Sequence, residues 1–357
     1  TLMRSSAASD VYKRQIIWYN TLKGDANMYK KKSKETAIWI LLMALIVIII
    51  LFGVYYILKS ERSETADSKK LSAESTVTTV ITQEPVVITS VARLELSEDE
   101  LYSSNAILMR DDGVVLYEKN SSDKMYPASL TKMMTAIVAL ENIDDLDEKV
   151  TIPQEVFDYA AKEQASIAGF SPGVEITLRD MLYGLLLPSG AECSIGLADY
   201  VAGGTEAFTD KMNETAQRLG MENTNFTNPS GLHDDNLYST AADIARLESY
   251  ALDDPDFREI FTTKTYETTC GDGSIVSFSG TMFAAMESPE FEGGVILGGK
   301  TGFTDQAGLC LASLASIGDH EYILVTTHAE GNHTTEQYNV TDAFTVYKAA
   351  AKLYNRT

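Results

Sequence analysis

The 357 residues carry 29 Lys and Arg against 51 Asp and Glu, a formal net charge of −22. That balance argues against nucleic acid or an anionic lipid surface as the main partner. Three cysteines, Cys193, Cys270 and Cys310, are too few for a disulfide framework, and buried free thiols are expected, with a pairing to Cys270 left open.

From the N-terminus, residues 1–27 carry no motif, and Met28 followed by three lysines resembles a natural start, so the earlier stretch reads as foreign to the native product. Ala37–Leu58 is a 22-residue run without charge, longer than the roughly 20 residues that cross a bilayer. Lys30, Lys31, Lys32 and Lys34 precede it, which keeps residues 1–36 in the cytoplasm. The expectation is a single-pass transmembrane helix over 37–58 with everything after it outside the cell membrane; a cleaved signal is the alternative. Residues 59–103, rich in Ser, Thr and Glu, read as a stalk. The remaining 104–357 form one domain.

Within that domain, Ala106–Met109 and Val114–Glu118 flank Asp111-Asp112-Gly113 as a hairpin. An apolar helix follows Pro127. Helices are expected over Leu178–Leu187, Glu192–Ala202, Glu206–Leu219 and Thr240–Leu252. Strands follow over Val295–Leu297 into Lys300, Gly308–Ser316 and Glu321–Thr327. A last amphipathic helix covers Val340–Tyr354. Helices first and antiparallel strands later make an α+β domain, an antiparallel sheet flanked by helices. The histidines His233, His320, His328 and His333 lack metal-ligand spacing. No metal or other cofactor is expected.

Three short boxes carry the chemistry. Ser129-Leu130-Thr131-Lys132 places a hydroxyl and an amine on one helix face, about 5–6 Å apart at Cβ. The amine can take the hydroxyl proton and make the serine a nucleophile. A second copy, Ser121-Ser122-Asp123-Lys124, lies in a polar run and reads as a loop. Ser189-Gly190-Ala191 and Lys300-Thr301-Gly302 follow in the order serine acyl-transfer enzymes use. Ser189 also fits a helix N-cap, with Glu192 three residues on in a capping-box pattern.

These boxes lie in longer blocks: Tyr126 to Ala136, Leu185 to Gly190, Leu219 to Phe226, Asn228 to His233, Tyr238 to Ala241 and Lys300 to Thr304. Together they resemble the serine-type D-alanyl-D-alanine carboxypeptidases, the low-molecular-weight penicillin-binding proteins, over about residues 104–357. The resemblance implies a β-lactamase-like, penicillin-binding transpeptidase-like fold with a five-stranded sheet. It implies removal of the terminal D-Ala from peptidoglycan stem peptides, and β-lactams as covalent inhibitors. Matched motif to motif, Ser129 is the nucleophile, Lys132 its base and Ser189 a proton relay to the leaving amine. Lys300 and Thr301 bind the substrate carboxylate. The N–H groups of Ser129 and Phe303 form the oxyanion hole, and Gly302 lets the strand edge approach the substrate. The departure is Ala191, where the family usually has Asn. Two alternatives stand beside this reading. One is a class A-like β-lactamase, with Glu222 as the nearest candidate for activating water. The other is a catalytically weak penicillin- or wall-binding module, motivated by Ala191.

Overall fold

The computed structural model describes residues 93–356. The tail, the apolar span 37–58 and the stalk up to residue 92 lie outside the described residues. Among the described residues no helix is long and apolar enough to cross a membrane.

The chain opens with the hairpin β1 (Asn105–Arg110) and β2 (Val115–Lys119). Next come α1 (Thr131–Leu140), the pair β3 (Lys149–Thr151) and β4 (Glu175–Thr177) around α2 (Gln154–Lys162), then α3 (Leu178–Leu186), α4 (Ala191–Ala202) and α5 (Thr205–Arg218). Helices α6 (Ala241–Ala251) and α7 (Pro255–Thr262) lead to the small hairpin β5 (Thr265–Thr269) and β6 (Ile275–Ser279) and the short α8 (Thr281–Ala284). The chain returns to the main sheet through β7 (Glu290–Phe291), β8 (Gly294–Thr304), β9 (Gly308–Ile317) and β10 (His320–Ala329), and closes with α9 (Tyr338–Tyr354).

The main sheet has the order β2-β1-β10-β9-β8-β7, so the N-terminal hairpin docks on the edge of the late meander. All its pairings are antiparallel. The expected five strands are present, and the two-residue β7 adds a sixth. Strand β9, Gly-Leu-Cys-Leu-Ala-Ser-Leu-Ala-Ser-Ile, is buried along nearly its whole length because both faces are covered. One core joins α1 and the helices after it to Ile107, Ala312 and Val325; the other joins α9 to Leu108, Leu311 and Leu324. The register explains the division: Ile107 pairs with Val325 and Val325 with Ala312, so these three share a face, and side chains alternate across a strand.

The end of the segment read as stalk belongs to the domain. Leu94 N–H donates to Leu116 O at 2.9 Å, Leu101 is buried, and Tyr102 and Ser103 N–H donate to the Asp342 carboxylate at 3.0 and 2.7 Å. A polar composition suggested a linker, but backbone donors anchored on α9 decide the conformation.

Candidate active site

The expected helical Ser129 lies one step earlier, in a single 3₁₀ turn over Ala128–Leu130 that leads into α1. Ala128 is left-handed, with φ +46°. That conformation costs an alanine about 1–2 kcal/mol and persists only where neighbours enforce it. The enforcing element is the loop Asn228-Pro229-Ser230-Gly231. Gly231 has φ +79°, and a Cβ there would sit 2.0 Å from the Ala128 carbonyl oxygen. Thr135 Oγ1 donates to Pro229 O at 2.6 Å, tying the loop to α1. The Asn228 side-chain carbonyl accepts from Ser230 N, Ser230 Oγ and Gly231 N at 3.1, 2.9 and 2.8 Å. From the other side, Gly302 lies close: a Cβ there would be 3.1 Å from Ser129 N. The nucleophile turn is thus held between a glycine loop and a glycine in β8.

Lys132 follows on α1 with its ammonium buried. Its Nζ is 3.2 Å from Ser129 Oγ and donates to Ser230 O at 2.6 Å. Burial pushes its pKa down to about 8, against the opposing fields of Glu192 and Cys193. The Ser230 carbonyl therefore gives this lysine a fixed polar partner, although Ala191 supplies none.

Ser189 is left-handed too, at φ +69°. Its Oγ accepts from Lys300 Nζ at 3.0 Å, and Lys300 Nζ also donates to Thr301 O at 2.7 Å. Lys300 is 0% exposed, and burial and the nearby Lys132 push its pKa well below the ordinary lysine value. A substrate carboxylate brought beside it would favour the charged form. Alternation along β8 puts Thr301 and Phe303, not Lys300, on the cleft wall.

The capping box expected at Ser189 is absent. Gly190 is the N-cap of α4 and no side chain caps it. Glu192 instead turns to the 165–170 loop, where its Oε1 accepts from Ala168 N at 2.6 Å and Gly169 N at 3.3 Å. Ala191 N–H donates to Ser166 O at 2.8 Å, completing the attachment. Glu192 is 0% exposed, and its Oε2 has no hydrogen-bond partner. Burial raises its pKa, while the Ala168 and Gly169 N–H groups and Lys132 counter that rise. Its negative field in turn favours the protonated form of Lys132. Glu192→Gln keeps an oxygen for the loop and removes the charge. The acidic limb of the acylation pH profile, followed with a chromogenic β-lactam, is expected to move to lower pH. A limb that stays in place would show that Glu192 is only structural.

A cleft of about 370 Å³ brings Ser129, Ser189, Thr301, Gly302 and Phe303 together. Sequence reading did not find its other walls: Ser166, Thr281, His333, Gln337 and Asn339. Thr281 Oγ1 is 2.5 Å from Thr301 Oγ1 and orients it. No carboxylate is among the residues lining the cleft, and the exposed Glu222 is outside it. His233 packs edge-on against Tyr126 and faces Asp235 at 3.4 Å, away from the cleft. In the second S-x-x-K copy, Ser121 Oγ donates to Glu118 at 2.9 Å while Lys124 stacks on the Tyr238 ring at 3.8 Å, so that lysine has another partner.

The arrangement is a serine whose oxygen meets a buried amine, a second serine–lysine pair, and a cleft rimmed by hydroxyls. It can carry acyl transfer. Comparison with known proteins agrees. Residues 92–331 match the model of the Peptidase S11 family, D-alanyl-D-alanine carboxypeptidase. The chain is 34% identical over 222 residues to the D-alanyl-D-alanine carboxypeptidase DacF of Bacillus subtilis, covering 62% of this chain and 56% of that protein. It is 34% identical over 215 residues to a D-alanyl-D-alanine carboxypeptidase of Streptomyces sp., covering 58% of this chain and 73% of that one. The Streptomyces K15 DD-transpeptidase crystal structure superposes with a TM-score of 0.63 at 29% identity, over 70% of this chain and 97% of the other. With the family model spanning well over half of its length, the chain belongs to the Peptidase S11 family of low-molecular-weight penicillin-binding proteins.

Proposed function

We propose that this protein is a serine-type D-alanyl-D-alanine carboxypeptidase that removes the terminal D-Ala of peptidoglycan stem peptides through an acyl-enzyme on Ser129. The observation that carries the reading is the short path from Ser129 Oγ to a buried lysine whose pKa burial has pushed down to about 8. With Lys132 neutral, the Ser129 hydroxyl donates its proton to the amine as Oγ attacks the penultimate D-Ala carbonyl. The N–H groups of Ser129 and Phe303 take the oxyanion, at the place where β8 packs on the nucleophile turn. Ser189, bonded to Lys300, passes a proton to the leaving D-Ala amine. Water then cleaves the ester and returns Ser129. Thr301, steadied by Thr281, and Lys300 beneath it receive the free carboxylate. A β-lactam enters the same path and leaves its acyl group on Ser129.

Two further parts belong to this reading. The apolar run 37–58 anchors the chain in the cell membrane, with the domain on the outer side. Ser230 O, through its bond to Lys132, takes over the share of lysine positioning that an Asn at position 191 would provide.

A second outcome for the same acyl-enzyme has specific support: the structural neighbour is named a DD-transpeptidase. Transfer to an amine acceptor uses the same residues and differs only in what resolves the ester. The β-lactamase reading has less support: residues 92–331 match the carboxypeptidase family model, and Glu192, the carboxylate whose field reaches Lys132, is tied to the Ala168 and Gly169 N–H groups. Incubation with a fluorescent penicillin and a diacyl-L-Lys-D-Ala-D-Ala peptide separates the readings. A lasting label with D-Ala release supports the carboxypeptidase, rapid label turnover the lactamase, and label without release the binding module. Adding glycine as an amine acceptor shows whether transfer competes.

Lys300→Ala is expected to slow acylation by both penicillin and peptide. The loss corresponds to about 2–4 kcal/mol of transition-state stabilisation, the scale of losing one aimed electrostatic contact. Stopped-flow acylation measures it, and an unchanged rate would place carboxylate recognition elsewhere.

A further inference from the structure

Over residues 93–356 the chain has 17 Lys and Arg against 43 Asp and Glu, yet four of those cations gather in one groove. The groove, about 790 Å³, lies between residues 93–100 and the C-terminal half of α9 with the turn after it. Arg93, Lys348, Lys352 and Arg356 line it, and all four are exposed. None of the four takes part in an ion pair among the described residues. Elsewhere among the described residues six cations are ion-paired, Arg110, Lys149, Lys162, Arg179, Arg218 and Arg258, while Lys124, Lys211, Arg246 and Lys264 stand apart from one another rather than in a cluster. The acids on the groove are two, Glu95 and Glu100, and Glu100 Oε1 is occupied by Ser97 N–H at 3.0 Å.

Helix-dipole compensation does not account for the cluster. That effect fades within the last turn. Lys348 precedes the end of α9 at Tyr354 by more than a turn, and Arg93 is on a different segment. Lys348 and Lys352, four residues apart, lie on one stripe of the helix, and Arg356 follows two residues past its end. The spacing builds a continuous positive face at one end of an acidic domain.

We infer that this groove docks the domain on anionic lipid headgroups, through their phosphates. Lipid is the occupant for two reasons on the chain itself. The uncharged run 37–58 lies N-terminal to Arg93, and the 34 residues between them can span at most about 110 Å, so the groove stays within reach of the bilayer that run would enter. The intervening stretch 59–92 is no electrostatic match for the groove, since it holds four Lys and Arg against five Asp and Glu. The inference rests on the anchored reading of 37–58. It also fixes an orientation. Asn339, on the wall of the active-site cleft, lies thirteen residues before Lys352 on the same helix, about 20 Å along its axis. Docking would hold the cleft off the membrane, facing the wall. The acidic remainder of the domain would be repelled from the same surface, which sharpens the orientation.

The test uses the full chain reconstituted into vesicles of phosphatidylcholine alone or with phosphatidylglycerol. Amide hydrogen exchange is followed at residues 93–96 and 345–356. The expected result is exchange slowed roughly tenfold in the anionic vesicles alone, with the protection lost in about 0.5 M salt, where screening is short-ranged. K348E/K352E/R356E, and the milder K348Q/K352Q, should lose that protection while still labelling with penicillin on Ser129, which shows that they fold. Equal exchange in the two vesicle types overturns the proposal. So does lowered protection of the variants in both types alike, because that is a helix-end effect. Carbonate extraction reads the anchor separately. If the chain washes off, the anchor fails and docking is read from its co-sedimentation with anionic vesicles.

Discussion

Ser129→Ala is expected to abolish covalent penicillin labelling and D-Ala release together. The reason is geometric. Ser129 Oγ is the hydroxyl beside the Lys132 amine, on a turn that Gly231 and Gly302 hold from two sides. Removing the oxygen removes the atom that becomes acylated, and no other hydroxyl on the cleft wall has a bond to Lys132. The chain contains its own control. Ser121 has the same spacing to a lysine, yet its hydroxyl is bonded to Glu118 and Lys124 stacks on Tyr238. Ser121→Ala should leave labelling and release within a few-fold of the parent. Gel fluorescence after labelling and a coupled D-Ala assay read both variants.

Lys132→Ala should slow acylation by about 10²- to 10⁴-fold, the usual contribution of a positioned base. Its hydrogen bonds end on Ser129 and on a backbone carbonyl, so the variant loses the base but keeps the nucleophile turn. The parent enzyme should also show the base in its pH dependence. Neutral Lys132 is the active form. With a pKa of about 8, about one molecule in ten is ready at pH 7 and about nine in ten at pH 9. Acylation should therefore rise with pH through about 8 and level off above about 9, because burial has lowered the value from the ordinary lysine range. The Lys132→Ala variant should lose that limb. A flat profile in the parent would mean that the proton goes elsewhere.

What could be read from the chain alone follows the range of the forces involved. The S-x-x-K box was legible because its hydroxyl and amine lie only three residues apart, and Lys300-Thr301-Gly302 because an apolar strand announces it. The walls of the cleft were not. Ser166, Thr281 and the loop bearing His333 and Gln337 come from three separate segments, and only tertiary packing brings them beside Ser129. Glu192 misled for a related reason. Its position fits a capping box, but the N–H groups of Ala168 and Gly169 attract its carboxylate more strongly than the helix end does. It left a signal all the same, the lone charge in the stretch Ala191–Ala198. The β5–β6 hairpin is written mostly in Thr, Ser and Glu, so its inward residues Tyr266, Val276 and Phe278 give a weak alternation. Helix α7 had clear marks, with Asp254 accepting from Phe257 N as the cap and Pro255 at its start. The acidic average of the domain likewise concealed the four cations at its end.

The central claim is that one serine carries the acyl group of both peptide and drug, and that water removes the peptide acyl. The most direct measurement is peptide mapping by mass spectrometry after brief exposure to penicillin or to a D-Ala-D-Ala peptide, with free D-Ala measured in the same samples. The expected result is one adduct, on the peptide containing Ser129, and D-Ala released in many turnovers per enzyme. An adduct on any other peptide, or D-Ala released by the Ser129→Ala variant, would contradict the assignment of the site.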